Sequence, residues 1–231
     1  MKYTSTLIQG IRAGLPVALG YFPIAIAFGA LAGQAQLNWG EATLMSMIVY
    51  AGASQFVGVS MLLAGAGTVQ IITTAFFLNM RHLIMSLAVN NQMRTFSRTS
   101  KYFLSFFITD ESFALLTLGS EDQKSDHWTP AYMAGLMLTA YLGWVSGTII
   151  GGLGAGYIPA EITTAMTVGL YGLFIGLLVP PARKSVRFAL IALVSMLLNW
   201  ILSQVLDQGW AIVIAMILAA GLGILLIKED E

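Results

Sequence analysis

Apolar residues run in long blocks along this chain, at about 10–33, 43–65, 70–89, 102–118, 130–153, 163–181, 188–205 and 209–227, with short polar stretches between them. Each block approaches the roughly 20 residues that a helix needs to cross the hydrocarbon core of a bilayer. The pattern predicts an all-α polytopic membrane protein with about seven or eight membrane segments. No soluble domain is attached, so residues 1–231 read as a single transmembrane domain.

The polar and helix-breaking positions inside the blocks carry more information than the blocks themselves. The first block contains Pro16, Gly20 and Pro23, and the second contains Tyr50-Ala51-Gly52-Ala53-Ser54-Gln55. Proline and glycine inside a membrane segment leave backbone groups that protein or water must satisfy. The third and fourth blocks hold Asn79-Met80-Arg81-His82 and Thr109-Asp110-Glu111. Ionisable side chains at that depth are expensive and read by default as functional. If the intervening loop runs from Asn90 to Lys101, Arg81 lies nine residues before it and Asp110 nine residues after it. At the helical rise, both sit roughly 13 Å above the same surface on antiparallel neighbours. Arg81 with Asp110 or Glu111 is therefore expected as a buried ion pair. Adjacent helix positions diverge by about 100°, so one arginine serves only one of the two acids. The acid left over would be protonated or wet.

Composition narrows the class. The chain is 57% hydrophobic and only 10% charged, against about 25% charged in soluble domains, which excludes a soluble protein. Net charge is zero and no basic stripe is interleaved with aromatics, which argues against nucleic acid as a partner. Absence of cysteine removes disulfides, iron–sulfur clusters and thiolate zinc sites. Lys2, Arg12 and the following apolar run resemble a signal peptide, but the apolar part continues to Gly33, too long for one, and is read as retained.

A weak repeat at an offset of 121 pairs Ala13-Gly14-Leu15 with Ala134-Gly135-Leu136, Gly33 with Gly154, Met45 with Met166 and Tyr50 with Tyr171. Basic residues cluster at Lys2/Arg12, Arg94/Arg98/Lys101, Arg183/Lys184/Arg187 and Lys228. Eight plain crossings would put the 94–101 cluster outside, against the bias of basic residues toward the cytoplasm. If residues 10–65 and 130–181 each make one net crossing, with one arm broken or re-entrant, all four clusters fall inside. The acidic loop Glu121-Asp122-Asp126 then falls outside. That arrangement makes two inverted halves, 10–101 and 130–208, joined by a connecting helix over 102–118, with a site near the midplane. Eight plain helices with one basic external loop are the alternative.

Candidate chemistry gathers in three stretches. Tyr50, Gly52, Ser54 and Gln55 either pack helices closely or form an unwound stretch whose freed amides receive a zwitterion. Asn79 and His82 share a helix face at i,i+3 spacing. Arg81 either is a structural partner of Asp110 or releases it when a substrate carboxylate competes. His82 could relay protons, although a lone buried histidine is more often neutral and hydrogen-bonded. Asp110 and Glu111 together exceed what one arginine requires, and are candidates for proton coupling. Glu41 and Glu161 read as helix-start acids. Asn199 with Trp200 falls where Asn79 would repeat and is a candidate for the opposite wall of the site. No metal cluster, HExxH or phosphate loop is present, and Gly52-Ala53-Ser54-Gln55-Phe56 lacks the second glycine of a nucleophile elbow. The chain is therefore read as no enzyme, with no cofactor. A coupled transporter, a channel-like pore and a structural membrane subunit remain as function classes.

Arg12-Ala13-Gly14-Leu15-Pro16, Gly20-Tyr21-Phe22-Pro23, Tyr50 through Phe56 (YAGASQF), Asn79 through His82 (NMRH) and Thr109 through Glu111 (TDE) occur in an order and spacing that closely resemble the AzlC family. That family forms the large subunit of bacterial branched-chain amino acid exporters. The resemblance covers nearly the whole chain and is looser in the second half. It implies export of leucine, isoleucine and valine, with methionine a further candidate, by proton antiport across the bacterial inner membrane. It also implies a small hydrophobic AzlD-type membrane subunit as partner. On this reading Tyr50, Gly52, Ser54, Gln55, Asn79 and Arg81 bind substrate, Asp110, Glu111 and His82 handle the proton, and both termini are cytoplasmic.

Overall fold

The computed structural model describes residues 2–118, 129–206 and 208–227, and these form ten helices. They are α1 (Lys2–Gln34), α2 (Trp39–Val49), α3 (Gly52–Leu63), α4 (Thr68–Gln92), α5 (Arg98–Phe106), α6 (Asp110–Leu118), α7 (Pro130–Leu153), α8 (Ala160–Lys184), α9 (Val186–Leu202) and α10 (Gln208–Ile227). Stretches within α1, α4 and α7 are each long and apolar enough to cross a membrane. Large apolar side chains such as Leu19, Val69 and Ile84 are 70–75% exposed, as lipid-facing residues are. The chain is an all-α multi-pass membrane protein.

α1 and α7 form the spine. α1 continues through Pro16 and Pro23 without interruption. Small residues let the two backbones touch. A Cβ on Gly135 would lie 2.5 Å from Leu7 O, one on Gly143 2.9 Å from Ala18, one on Gly147 2.6 Å from Phe22 O, and one on Gly151 would overlap Ile26 O. Steps of four along α7 meet steps of about four along α1 in the same direction, so the two helices run parallel. This corrects the expectation of inversion for the pair that the 121-residue offset equates. Sequence identity marks equivalent helices, whereas their relative direction is set by which glycine faces which carbonyl.

The end where α1 begins is here the N-terminal end, and the opposite one the far end. α2 starts at the far end, with Trp39 against Gly152, and descends antiparallel to α7. A reciprocal cap between Asn38 and Glu41 sets its start, as expected for a helix-start acid. The helix breaks at Tyr50, which is left-handed at φ 36° and ψ 48°, and at Ala51, φ −138° and ψ 80°. α3 then turns back. Gln55 Nε2 reaches Ser46 Oγ at 2.9 Å, Gly58 faces Met45, and Phe56 packs edge-on against Phe28 at 5.6 Å. α2 and α3 are thus a re-entrant hairpin whose tip stops partway through the bundle, and residues 10–65 make the single net crossing expected of them.

α4 starts at the far end, where Ile71 meets Gly58, and ends at the N-terminal end. α7 also begins there, with Gly10 against the Tyr132 backbone. The chain between α4 and α7 therefore makes no net crossing. The expected connecting helix over 102–118 is two helices, interrupted at Phe107–Thr109. The acidic loop expected on the opposite side lies outside the described residues, but Pro130 after it sits at the N-terminal end. In the second half, α8 is continuous through Tyr171 and passes Ile24 of α1 at Gly169. Residues 130–181 therefore go out and return instead of making one net crossing. α9 and α10 pack antiparallel, with Ile191 against Gly223. Arg94, Arg98, Lys101, Arg183 and Arg187 all fall toward the N-terminal end.

Candidate functional site

The two breaks in the backbone meet. The tip of the α2–α3 hairpin and the start of α6 enclose a cleft lined also by Tyr21 of α1, Arg81 and His82 of α4, and Trp144 of α7. Each break has its own local cause. Tyr50 occupies a left-handed conformation that costs a non-glycine residue about 1–2 kcal/mol. Its ring is held in place by Tyr141 at 4.9 Å and Phe107 at 6.5 Å. The first helical bond of α3 runs from Gln55 N–H to Ala51 O, 3.0 Å, and Ala51 supplies no side-chain cap. The amides of Gly52 and Ala53 thus face the cleft at a helix N-terminus, where an anion is favoured. At the other break, Thr109 and Ser112 cap α6 reciprocally: Thr109 N–H donates to Ser112 Oγ at 2.9 Å and Ser112 N–H to Thr109 Oγ1 at 3.3 Å. That cap presents Asp110 and Glu111 as the first two helical residues.

The ion pair forms as the depth argument predicts. Arg81 Nη1 lies 3.0 Å from Asp110 Oδ2, with the side chains 31% and 24% exposed. Glu111 makes no salt bridge among the described residues and instead accepts from the Tyr21 hydroxyl. Tyr21 also lies 3.0 Å from Thr109 Oγ1. Two neighbouring acids are thereby separated into two environments, one beside a cation and one beside a phenol. His82 lines the cleft with Nδ1 3.3 Å from Asn79 O, and the Tyr50 hydroxyl is buried with no hydrogen-bond partner among the described residues.

Of the sequence candidates, Tyr50, Gly52, Arg81, His82, Asp110 and Glu111 share the cleft, while Ser54, Gln55 and Asn79 do not line it. Ser54 Oγ donates back to Ala51 O at 3.0 Å. Gln55 is fully buried behind the tip. It donates to Ser46 Oγ, accepts from Trp144 Nε1 at 3.1 Å, and connects through Ser46 to Thr148 Oγ1 at 2.9 Å. The pair Asn199 and Trp200 is not part of the lining. Tyr21, Trp144 and Thr109 are lining residues that were not singled out as site candidates. Gln55→Leu removes the acceptor of the buried Trp144 N–H, at about 1–3 kcal/mol for such a group, and leaves the Ser46 hydroxyl with Thr148 alone. A purified Gln55→Leu protein is therefore expected to melt several degrees below wild type, with Gln55→Glu intermediate, as read by thermal unfolding in detergent.

The cleft holds about 30 Å³ of free space, room for a water molecule and far less than an amino acid needs.

Residues 16–158 match the family described as AzlC protein. The chain belongs to the AzlC family. Among its relatives, the inner membrane protein YgaZ of Escherichia coli is 32% identical over 164 residues, covering 68% of this chain and 66% of that protein. An uncharacterized membrane protein of Archaeoglobus fulgidus is 29% identical over 198 residues, 83% of this chain and 85% of the other. The branched-chain amino acid transport protein AzlC of Bacillus subtilis is 26% identical over 145 residues, 62% and 56% of the respective lengths. No solved structure matches. The matched span of this AzlC-family chain contains the α2–α3 hairpin, Arg81, both acids and Trp144, every residue that lines the cleft.

Proposed function

We propose that this AzlC-family protein is a secondary transporter that exports leucine, isoleucine and valine, with methionine as a further substrate, across the bacterial inner membrane by proton antiport. A membrane transport role is what the family and the Bacillus relative support. The observation that carries the finer reading is the division of labour between the two acids. Asp110 is neutralised by Arg81, whereas Glu111 has no salt bridge among the described residues and faces the same cleft.

In the proposed cycle the substrate carboxylate takes Arg81 and the Gly52–Ala53 amides at the start of α3. Once the substrate has left on the outer side, Asp110 or Glu111 receives the counter-proton, with His82 beside them, and gives it up to the cytoplasm before the next substrate binds. The buried Tyr50 hydroxyl, which has no hydrogen-bond partner among the described residues, is available to the substrate's polar end, and Trp144 walls the aliphatic side. Ser54 and Gln55 support this from behind, holding the hairpin rather than touching substrate. Entry requires the hairpin tip to withdraw from α6, because the cleft as it stands admits only water. Clustering of basic residues at the N-terminal end supports a cytoplasmic location for that end, and the proposal puts both termini in the cytoplasm. A small AzlD-type membrane subunit completes the exporter.

The test is efflux from cells loaded with leucine- or isoleucine-containing dipeptides, with the chain expressed together with its small subunit. Saturable leucine release that collapses with the proton gradient supports the proposal. Unchanged intracellular leucine rejects the substrate, and release indifferent to the gradient favours a channel-like pore.

A further inference from the structure

A second cavity, of about 370 Å³, opens between α4 and α5 near the N-terminal end. Leu83, Leu87 and Met93 give it a largely apolar wall, interrupted by Ser86 and Ser105, and Arg98 and Lys101 line it at the N-terminal end. No acid lines it, and neither cation has a salt-bridge partner among the described residues. Both cations belong to the first turn and a half of α5, a helix start already capped by Ser97 Oγ on Ser100 N–H at 3.2 Å. Positive side chains there oppose the positive end of the helix dipole. Two such cations with no acid opposite form an arrangement that an external anion would relieve.

Depth decides which anion. From Leu83, two residues past Arg81, to Asn90 at the mouth, the groove extends along α4 for roughly 10 Å. Leu83 and Leu87 are 61% and 63% exposed and look outward. Tyr102, 78% exposed on the same wall, is a residue type favoured at headgroup level. An anion held at the mouth thus continues into an apolar channel directed toward the bilayer midplane. A basic mouth over such a channel on the face with excess positive charge has the chemistry of an anionic lipid site.

We infer that the groove between α4 and α5 binds an anionic glycerophospholipid, its phosphate on Arg98 and Lys101 and one acyl chain along Leu83 and Leu87.

The probe is phosphatidylglycerol, mixed in equal parts with phosphatidylcholine and offered to the full chain in mild detergent. Retained lipid is counted by native mass spectrometry. Wild type is expected to retain phosphatidylglycerol selectively, and Arg98→Gln/Lys101→Gln to bind it roughly 30-fold more weakly, from about 1 kcal/mol per basic residue. Leu87→Trp, which fills the channel and keeps both cations, is expected to lose the same lipid, so the test survives misfolding of either variant. Equal retention of the two lipids, or full retention by both variants, overturns the assignment. Displacement by millimolar inorganic phosphate reduces it to a bare anion site, and exclusion of lipid by a bound small subunit makes the groove a protein interface instead. Either result rejects the lipid.

Discussion

Replacing Glu111 by glutamine is expected to abolish coupled leucine export while leaving the protein folded. Glutamine keeps the shape and can still accept from the Tyr21 hydroxyl, but it has no proton to exchange. Glu111 makes no salt bridge among the described residues, so its removal strands no cation in the bilayer. Leucine efflux at matched membrane abundance is expected to fall to the level of vector-only cells. Asp110→Asn behaves differently because it leaves Arg81 charged and without its acid. The pair is half-buried, so the cost in stability lies between the roughly 1 kcal/mol of an exposed pair and the 3–5 kcal/mol of a fully buried one. Lower abundance should therefore accompany lower efflux for Asp110→Asn, whereas Glu111→Gln should lose efflux alone. Normal export by Glu111→Gln would remove it from the coupling step.

The largest stability effect is expected at the spine. A side chain on Gly151 would overlap the Ile26 carbonyl, and one on Gly147 would lie 2.6 Å from Phe22 O. Both obstacles are helix backbone, which has no rotamer to escape into. Gly151→Val must push α7 away from α1 along the whole stripe of small residues. Overpacking typically costs about 1–3 kcal/mol and more where backbone must move, a large share of the 5–15 kcal/mol that holds a protein folded. Little folded protein should reach the membrane, as measured by fluorescence-detected size exclusion. Gly156→Val, with open space around its Cβ, should behave as wild type. Equal yields for the two would show that the close approach of α1 to α7 is not needed for folding.

These two predictions draw on features of very different legibility. The Arg81–Asp110 pair could be read in the sequence because helical rise is regular, so counting residues from a shared loop gives depth. The break at Tyr50 was legible because small and polar residues are conspicuous inside an apolar block. The break at Phe107–Thr109 was not, since Phe-Phe-Ile-Thr contains neither proline nor glycine. There the reciprocal Thr109–Ser112 cap, one threonine and one serine three residues apart, ends one helix and starts the next. Ser54 and Gln55 belong to the same small and polar stretch as Gly52 and Ala53, yet they lie farther along α3, where Ser54 bonds back to Ala51 O and Gln55 meets Ser46 and Trp144. Tyr21 and Trp144 looked like any aromatic of an apolar helix. Only the three-dimensional approach of α1 and α7 to the hairpin tip makes them walls of a cleft. The parallel course of α1 and α7 was hidden for a related reason, because glycines permit close contact in either direction.

The most direct measurement is proton movement driven by substrate. Proteoliposomes holding the chain with its small subunit, loaded with a pH-sensitive dye, would receive an outward leucine gradient at zero membrane potential. The account predicts that leucine leaving through the protein carries protons the opposite way. The internal pH should fall with leucine or isoleucine, stay flat with glutamate, and stay flat for Glu111→Gln. Leucine flux at wild-type rate with no change in internal pH would contradict proton antiport through the cleft between the two helix breaks.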